Sequence, residues 1–173
     1  MNAPIKIEKT HNADCPAMLA NAERWRAQCI DNFANLEVVI EDLLRDLKSH
    51  SKHGAKVRTG QLVGSAFAHL RELTSEKGLF VQKGAGVAAT IRLLARCMEW
   101  RAHLTHGVMK VWRGGNGQWL MTFDHREPGK DDGPIRCFAI PWSDALSLKK
   151  ELADQVEALR QNARSLSNSI RKA

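Results

Sequence analysis

The sequence lacks the features that mark secreted and membrane proteins. Its four cysteines form no C-x-x-C pair and no dense framework, which argues against a disulfide-stapled fold. Cys29 and Cys97 fall on apolar helical faces, so we expect both to be buried thiols. No apolar run after Met1 could serve as a signal peptide, and none approaches the roughly 20 residues that cross a bilayer. These absences predict a soluble, cytoplasmic protein that does not engage a membrane.

Several motifs of catalysis are missing as well. Gly78, Gly84 and Gly86 do not belong to a G-x-x-x-x-G-K-[ST] loop, so the sequence offers no P-loop for nucleotide phosphates. No serine lies in a nucleophile elbow, and no cluster of carboxylates suggests a two-metal nuclease. We therefore expect neither a cofactor nor a metal ion in the site.

The composition is that of a globular protein with an excess of positive charge. Hydrophobic residues make up 43% of the 173 residues and charged residues 26%, which excludes a wholly disordered chain. The formal net charge of +7 favours an acidic partner, and nucleic acid is the commonest one. A basic surface that binds no ligand is the alternative.

Apolar residues recur in steps of three and four through four segments, which predicts four helices. The first runs from Pro16 to about Ser49, and the second opens at Thr59. The third stops at Gly107, since glycine tolerates the left-handed backbone found past helix ends. The fourth helix is expected to begin at Ser143, which can cap its N-terminus. The positions predicted to face the core are Cys29, Phe33, Leu36, Ile40, Leu43 and Leu47 in the first helix, Leu62, Ala66, Leu70 and Leu73 in the second, Val87, Ile91, Leu94 and Met98 in the third, and Leu146, Leu148, Leu152, Val156, Leu159, Ala163 and Leu166 in the fourth. Leu93, Cys97 and Trp100 lie beside the seam of the third helix.

A β insert separates the third helix from the fourth. Residues 108–112 and 118–123 are rich in β-branched, aromatic and long apolar side chains and flank a glycine-rich turn, which predicts a β-hairpin. A short third strand can follow at 135–140. Trp112 and Trp119 in the hairpin can pack on the helices or stack on nucleic-acid bases.

These elements predict a mainly α-helical protein, an up-and-down bundle of about four helices. A small antiparallel β-hairpin insert, at about 108–140, lies between the third and fourth helices. Residues 1–15 are expected to form a loose segment, and residues 16–173 a single domain. The long first helix can pair with a second chain as well as with its own core.

The pair formed by Arg101 and His106, at the end of the third helix, is the best indication of function. Histidine can transfer a proton near neutral pH, and arginine can hold a phosphate and neutralise charge as it develops. Both can therefore act on a phosphodiester without a metal. The alternatives are structural: Arg101 can pair with a carboxylate such as Glu99, and His106 can interact with the last carbonyl groups of the helix.

His103 precedes His106 by three residues and so lies on roughly the same helical face. It is a candidate phosphate contact or proton carrier, or else a passive neighbour. An H-x-x-H pair can also bind zinc, but no third ligand stands at a recognisable spacing, and His125 and Cys137 are only candidates.

The motif R-x4-H-G, here Arg101, His106 and Gly107, resembles the signature of the higher eukaryote and prokaryote nucleotide-binding (HEPN) superfamily. Members of that superfamily are up-and-down helical bundles that carry R-x4-6-H near the end of a core helix. The order of a long first helix, a second helix, the motif helix, a tryptophan-bearing hairpin and a closing helix is similar too. The resemblance covers roughly residues 18–168.

The resemblance implies a metal-independent endoribonuclease, possibly a toxin or a phage-defence component. In that scheme His106 is the general acid or base that promotes attack of a ribose 2′-hydroxyl on the adjacent phosphate. Arg101 binds the phosphate and stabilises the transition state. RNA, a second copy of the chain and a cognate antitoxin protein are the partners implied.

Two departures from the family pattern bear on activity and on its control. Active members often carry a polar residue after the arginine, where this chain has Ala102. Some carry a tyrosine two positions after the histidine, which a partner enzyme modifies; here Val108 stands there, and the chain contains no tyrosine. Ala102 favours the alternative function, a non-catalytic module of the same fold that binds RNA or a protein.

Helix geometry connects the motif to oligomeric state. At about 100° per residue, Arg101 and His106 lie about 140° apart around the axis unless the helix ends between them. A second chain could then bring the complementary residue to a shared cleft. We therefore expect a homodimer.

Overall fold

The computed structural model describes residues 15–125 and 136–171. Within them the chain is mainly helical, and a small three-stranded antiparallel sheet lies between the third and fourth α-helices, which confirms the predicted fold class. The predicted loose segment lies outside the described residues except for Cys15. The elements are α1 (Pro16–Lys48), a short 3-10 helix (Gly54–Lys56), α2 (Val63–Thr74), α3 (Ala85–His106), β1 (Val108–Arg113), β2 (Trp119–His125), β3 (Arg136–Pro141) and α4 (Trp142–Arg171).

The chain divides into two compact units. One comprises the chain up to Asp31 together with Trp100–Glu151, and so contains the start of α1, the last turns of α3, the sheet and the start of α4. The other comprises Asn32–Glu99 and the rest of α4 from Leu152. The single domain expected for residues 16–173 stays a prediction.

The heptad-like pattern of α1 correctly predicted its buried side. All six of its predicted core positions are buried, because side chains three and four residues apart fall on one face of a helix. Cys29 and Cys97 are buried thiols outside any disulfide, as expected. Among the described residues, no helix is both long enough and apolar enough to cross a membrane.

The second helix begins four residues later than predicted. Gly60 adopts a positive φ of 70°, and its N–H donates to the carboxylate of Glu41 at 3.1 Å, so the chain is still turning at this point. Leu62, predicted to lie in the core, therefore precedes the helix and is 85% exposed. Once α2 starts at Val63, the remaining predicted core positions, Ala66, Leu70 and Leu73, are buried.

Two further apolar side chains are exposed. Leu146 of α4, predicted to face the core, is 47% exposed, and Leu93, which the pattern put beside the seam of α3, is 50% exposed. Each lies at the edge of its apolar stripe, where a leucine is readily tolerated on the surface. The other apolar positions predicted for α4 are buried. Met98 and Trp100 of α3 are half-buried, and Val87, Ile91, Leu94 and Cys97 are buried.

The three strands pair in sequence order, with Phe123 of β2 opposite both Met109 of β1 and Phe138 of β3. Because side chains alternate along a strand, Met121, Phe123 and His125 share one face of the sheet. Met121 and Phe123 are fully buried, so this is the inner face. The hairpin and the third strand are thus present where the sequence predicted them.

The start of α1 packs on that inner face. The Trp25 ring lies 6.2 Å from the Phe123 ring, centroid to centroid, and its Nε1 donates a buried hydrogen bond of 2.6 Å to the carbonyl oxygen of Ala145 in α4. A buried indole needs such a partner for its N–H. Trp25 therefore ties the first helix to both the sheet and the beginning of α4.

Candidate functional site

The third helix ends in a turn that brings its last histidines to the sheet. α3 runs through His106, and Gly107 closes it by donating from its N–H to the carbonyl oxygen of His103 at 2.8 Å. The left-handed conformation expected of Gly107 is not the reason for glycine, because within the described ranges only Gly60 and Gly117 have positive φ. A Cβ at position 107 would collide with the carbonyl oxygen of His103 and lie 3.1 Å from the Cβ of Phe123. Close approach of helix end and sheet therefore requires glycine here.

Arg26 of α1 caps this helix end. Its Nε donates to the carbonyl oxygen of Leu104 at 2.7 Å, and its Nη2 donates to that of Gly107 at 3.0 Å. The guanidinium also lies over the ring of Phe123, 5.8 Å from the centroid. A cation at a helix C-terminus satisfies carbonyl groups that have no partner within the helix. Arg26 thus fixes the turn from which His106 projects.

Three histidines converge at the edge of the sheet. The His125 ring, at the end of β2, lies 5.8 Å from the His103 ring and 5.9 Å from the His106 ring, centroid to centroid. His106 is exposed, whereas His103 and His125 are half-buried. The structure therefore brings together two of the three predicted site residues, and it does so through a third imidazole.

Arg136 and Phe138 of β3 extend this cluster. Arg136 is the direct partner of His125 in the antiparallel register, so the two side chains lie on the same face of the sheet. Phe138 stacks on the rings of His103 and of Trp100, with centroid distances of 5.7 and 6.1 Å. The site thus combines imidazoles and a guanidinium with half-buried aromatic rings. We call His103, His106, His125 and Arg136 the histidine cluster.

Burial lowers the pKa of His103. The neighbouring His125 and the positive charge of Arg136 lower it further, while a hydrogen bond with the backbone of Phe123 works in the opposite direction. His103 is therefore held in its neutral form more firmly than an ordinary histidine. A neutral imidazole can accept a proton, which suits a base better than an acid.

Arg101 stands apart from the histidine cluster. α3 continues unbroken through positions 101 and 106, so Arg101 and His106 lie about 140° apart around the helix axis. Arg101 is half-buried, and so is the adjacent Ala102. One chain therefore does not place the two motif residues on a common face of the helix.

The outer face of the sheet carries a separate polar group. Lys110 donates to the carboxylate of Asp124 at 2.7 Å, and this hydrogen bond is the main cause that lowers the pKa of Asp124. Burial and the nearby Asp124 raise the pKa of the Cys137 thiol. Cys137 pairs with Asp124 across the strands, so it lies on the opposite face from His125. Cys137 therefore does not share a site with the histidines.

Zinc binding by the H-x-x-H pair would require a third ligand close to His103 and His106. Among residues 15–125 and 136–171, no three histidine, cysteine, aspartate or glutamate side chains are arranged to hold a metal ion. A site built on His103 and His106 with Cys137 has its third member on the wrong side of the sheet.

The tryptophans of the hairpin make local contacts. The Nε1 of Trp112 donates to the hydroxyl of Thr122 at 2.9 Å, and the guanidinium of Arg113 lies 5.7 Å from the ring centroid of Trp119. Both rings are half-buried. These contacts agree with packing, and the bases of a nucleic acid could reach only the exposed parts.

The sequence did not predict the part that three residues take in this arrangement. His125 was predicted only as a possible zinc ligand, and no role was predicted for Arg26 or Arg136. Alternation with Phe123 could have put His125 on the inner face. No signal in the sequence indicates which helix turn lies above that face, since this depends on how the sheet folds back on α3.

Comparison of this chain with protein-family models, with curated proteins and with solved structures finds no match. The resemblance to the HEPN superfamily therefore depends on the residues themselves.

Proposed function

We propose that this protein is a metal-independent endoribonuclease of HEPN type whose reactive group is His106. The observation that supports this proposal is the convergence of exposed His106 with His103 and His125 beside the cationic Arg136. Imidazoles can transfer protons, and a neighbouring guanidinium can hold a phosphate. This set is sufficient for phosphodiester chemistry without a metal ion.

RNA is the substrate that this chemistry favours. A ribose 2′-hydroxyl can attack the adjacent phosphate once its proton is removed, so no external nucleophile has to be bound. His106, exposed at the end of α3, is accessible to the RNA chain. His103 lies one helical turn earlier and contributes either a proton-accepting group or a contact with the phosphate.

Arg101 takes part in the same reaction only if a second chain is present. It lies about 140° around the helix axis from His106, so a cleft that contains both residues requires Arg101 from one copy and His106 from another. This geometry supports a homodimer in which each cleft is shared. In a cytoplasmic toxin or defence protein of this kind, a cognate antitoxin that covers the clefts is the expected regulator.

A second function is favoured by the motif helix itself. Ala102 provides no polar group beside Arg101, and both residues are half-buried rather than presented at a surface. A non-catalytic module that binds RNA or a protein through its basic surface would need no reactive pair. The two functions differ in a single observable, namely whether a phosphodiester bond is broken.

Incubation of purified protein with total RNA in the presence of EDTA tests the proposal. We expect cleavage by the wild-type protein and none by His106→Ala. His50→Ala is the matched control, because His50 is a half-buried histidine in the other compact unit, and it should cleave like the wild type. RNA that is bound but not cleaved by the wild type would favour the binding module. Equal cleavage by wild type and His106→Ala would place the activity outside this motif.

A further inference from the structure

His125 is the one histidine of the cluster that belongs to neither the R-x4-H motif nor its helix. It projects from the last position of β2, on the same sheet face as the fully buried Phe123. Its ring lies 5.9 Å from the ring of His106 with an angle of 30° between their planes. The two rings come from different elements, and both are at least partly accessible to solvent.

The proposed reaction requires two proton transfers, and His106 is the only histidine of the R-x4-H pair. The 2′-hydroxyl loses its proton as a bond forms between its oxygen and phosphorus. The bond from phosphorus to the 5′-oxygen then breaks, and that oxygen needs a proton to leave as a hydroxyl group. The two oxygens stand on opposite sides of the phosphorus atom, so two proton carriers a few ångströms apart suit this geometry better than one.

We propose that His106 and His125 form the acid–base pair of a self-contained site, in which Arg136 binds the phosphate. One imidazole accepts the proton of the 2′-hydroxyl, and the other donates a proton to the departing 5′-oxygen. The products are a 2′,3′-cyclic phosphate and a 5′-hydroxyl end, and no external oxidant, reductant or water is consumed. This inference rests on the proposed ribonuclease function, and it adds a residue that the motif does not contain.

Arg136 provides the cation that Arg101 cannot supply from the same chain. It lies opposite His125 in the register, on the same face of the sheet. Its positive charge lowers the pKa of His103. Arg136 is itself exposed. A phosphate that Arg136 binds would therefore lie next to His125, whose ring is the neighbour of the His106 ring.

The charges around His125 come from three elements. Within the described residues, His103 and His106 approach it from α3, and Arg136 approaches it from β3. Arg26 of α1 lies over Phe123, two residues earlier on the same strand. These imidazoles and guanidinium groups can attract the negative charge of a phosphate.

The test compares His106→Ala and His125→Ala on two substrates that contain a single ribonucleotide. In the first the leaving atom is the normal 5′-oxygen. In the second it is a sulfur atom, which leaves without being protonated. On the first substrate we expect both variants to be at least about 100-fold slower than the wild type, the contribution of one general acid or base. On the second substrate only the variant that lacks the acid should recover, to within about tenfold of the wild type.

The pH profile supplies a readout that a structural defect would not reproduce. A reaction that needs one neutral and one protonated imidazole has a bell-shaped dependence on pH. In each alanine variant the rate should still fall on one side of the pH optimum, and it should no longer fall on the other. His125→Asn, which keeps a polar side chain of similar reach, shows whether the loss follows from a folding defect, and it should behave like His125→Ala.

Each result either supports the pair or overturns it. Recovery of one variant on the sulfur substrate supports it. Wild-type rates in His125→Ala, or failure of both variants to recover, would overturn the pair while the ribonuclease function stood. Absence of cleavage by the wild type on both substrates would overturn the function and the pair together.

Discussion

The Nε of Arg26 donates a 2.7 Å hydrogen bond to the carbonyl oxygen of Leu104, 78 residues further along the chain. This bond connects the third turn of α1 to the last turn of α3, two residues before His106. The same guanidinium donates to the carbonyl oxygen of Gly107 at 3.0 Å, so Arg26 is hydrogen-bonded to residues on both sides of His106. The position of His106 therefore depends on a residue of another helix.

Substitution of Arg26 tests this dependence. Arg26→Ala removes hydrogen bonds from a charged donor to helix-terminal carbonyl groups, so we expect the free energy of unfolding to fall by about 2 kcal/mol. Arg26→Lys keeps the charge but not the planar fork, and it should recover only part of this loss. Urea denaturation measures both variants. Arg24→Ala is the control, because Arg24 is exposed on the same turn, and it should change stability little.

Gly107 gives a second test of the contact between helix end and sheet. A Cβ at this position meets the carbonyl oxygen of His103 and the side chain of Phe123, so Gly107→Ala should destabilise the protein by about 1–3 kcal/mol. Gly64→Ala is the matched control. Gly64 lies in α2 with nothing within 4 Å of an added Cβ, so alanine should stabilise the protein, by up to about 1 kcal/mol. Melting temperatures that move in the same direction for both variants would contradict this assignment.

The stability of the protein should depend on two histidines between pH 7.5 and 5.5. Burial lowers the pKa of His69, and the adjacent Arg58 lowers it further, while Glu72 opposes the shift. Burial also lowers the pKa of His103. The unfolded chain therefore binds more protons than the folded protein below the ordinary histidine pKa of 6.5. The stability that the neutral forms of His69 and His103 contribute is therefore complete above pH 6.5, and it is lost as the pH falls through their lowered pKa values.

Thermal unfolding at pH 7.5 and pH 5.5 measures this effect. The melting temperature of the wild type should be lower at pH 5.5. His69→Gln keeps a group that can accept the hydrogen bond from the N–H of Arg58, which is 3.1 Å from Nε2 in the structure, but it cannot be protonated. This variant should show a weaker pH dependence. An unchanged slope would mean that His69 is not a source of the effect.

Mixing two inactive variants distinguishes a shared cleft from a self-contained one. If Arg101 of one chain acts with His106 of another, Arg101→Ala and His106→Ala should each be inactive alone. Half of the dimers in an equimolar mixture would then be mixed and would carry one intact cleft of two, so about a quarter of the wild-type activity should return. If the pair of His106 and His125 with Arg136 is sufficient in one chain, Arg101→Ala should retain activity, and mixing should restore nothing.

The sequence predicted most of the fold because the fold depends on periodicity. Spacings of three and four placed the buried side of α1 correctly, and alternation identified the strands. The errors occurred where the pattern is shortest. Leu62 was predicted to lie in a helix that begins only after it, because the N–H of Gly60 donates to the carboxylate of Glu41 on another element and the chain is still turning there.

The candidate site was predicted only in part, for a related reason. His103 and His106 are three residues apart on one helix, so their proximity follows from local geometry. His125 reaches them through the register of β2 and the packing of the sheet on α3, and Arg136 reaches His125 through a pairing across strands. Contacts between elements that are distant in sequence depend on tertiary packing, which the local pattern does not encode.

The most direct test of a ribonuclease centred on His106 uses a DNA strand with a single ribonucleotide, incubated in EDTA. We expect the wild-type protein to cleave only at the linkage after that ribonucleotide. A matched strand with a 2′-O-methyl group at the same position should resist, because its 2′-oxygen has no proton to give up, and His106→Ala should cleave neither strand. Cleavage of the methylated strand, or equal cleavage of the ribonucleotide strand by His106→Ala, would contradict a ribonuclease centred on His106.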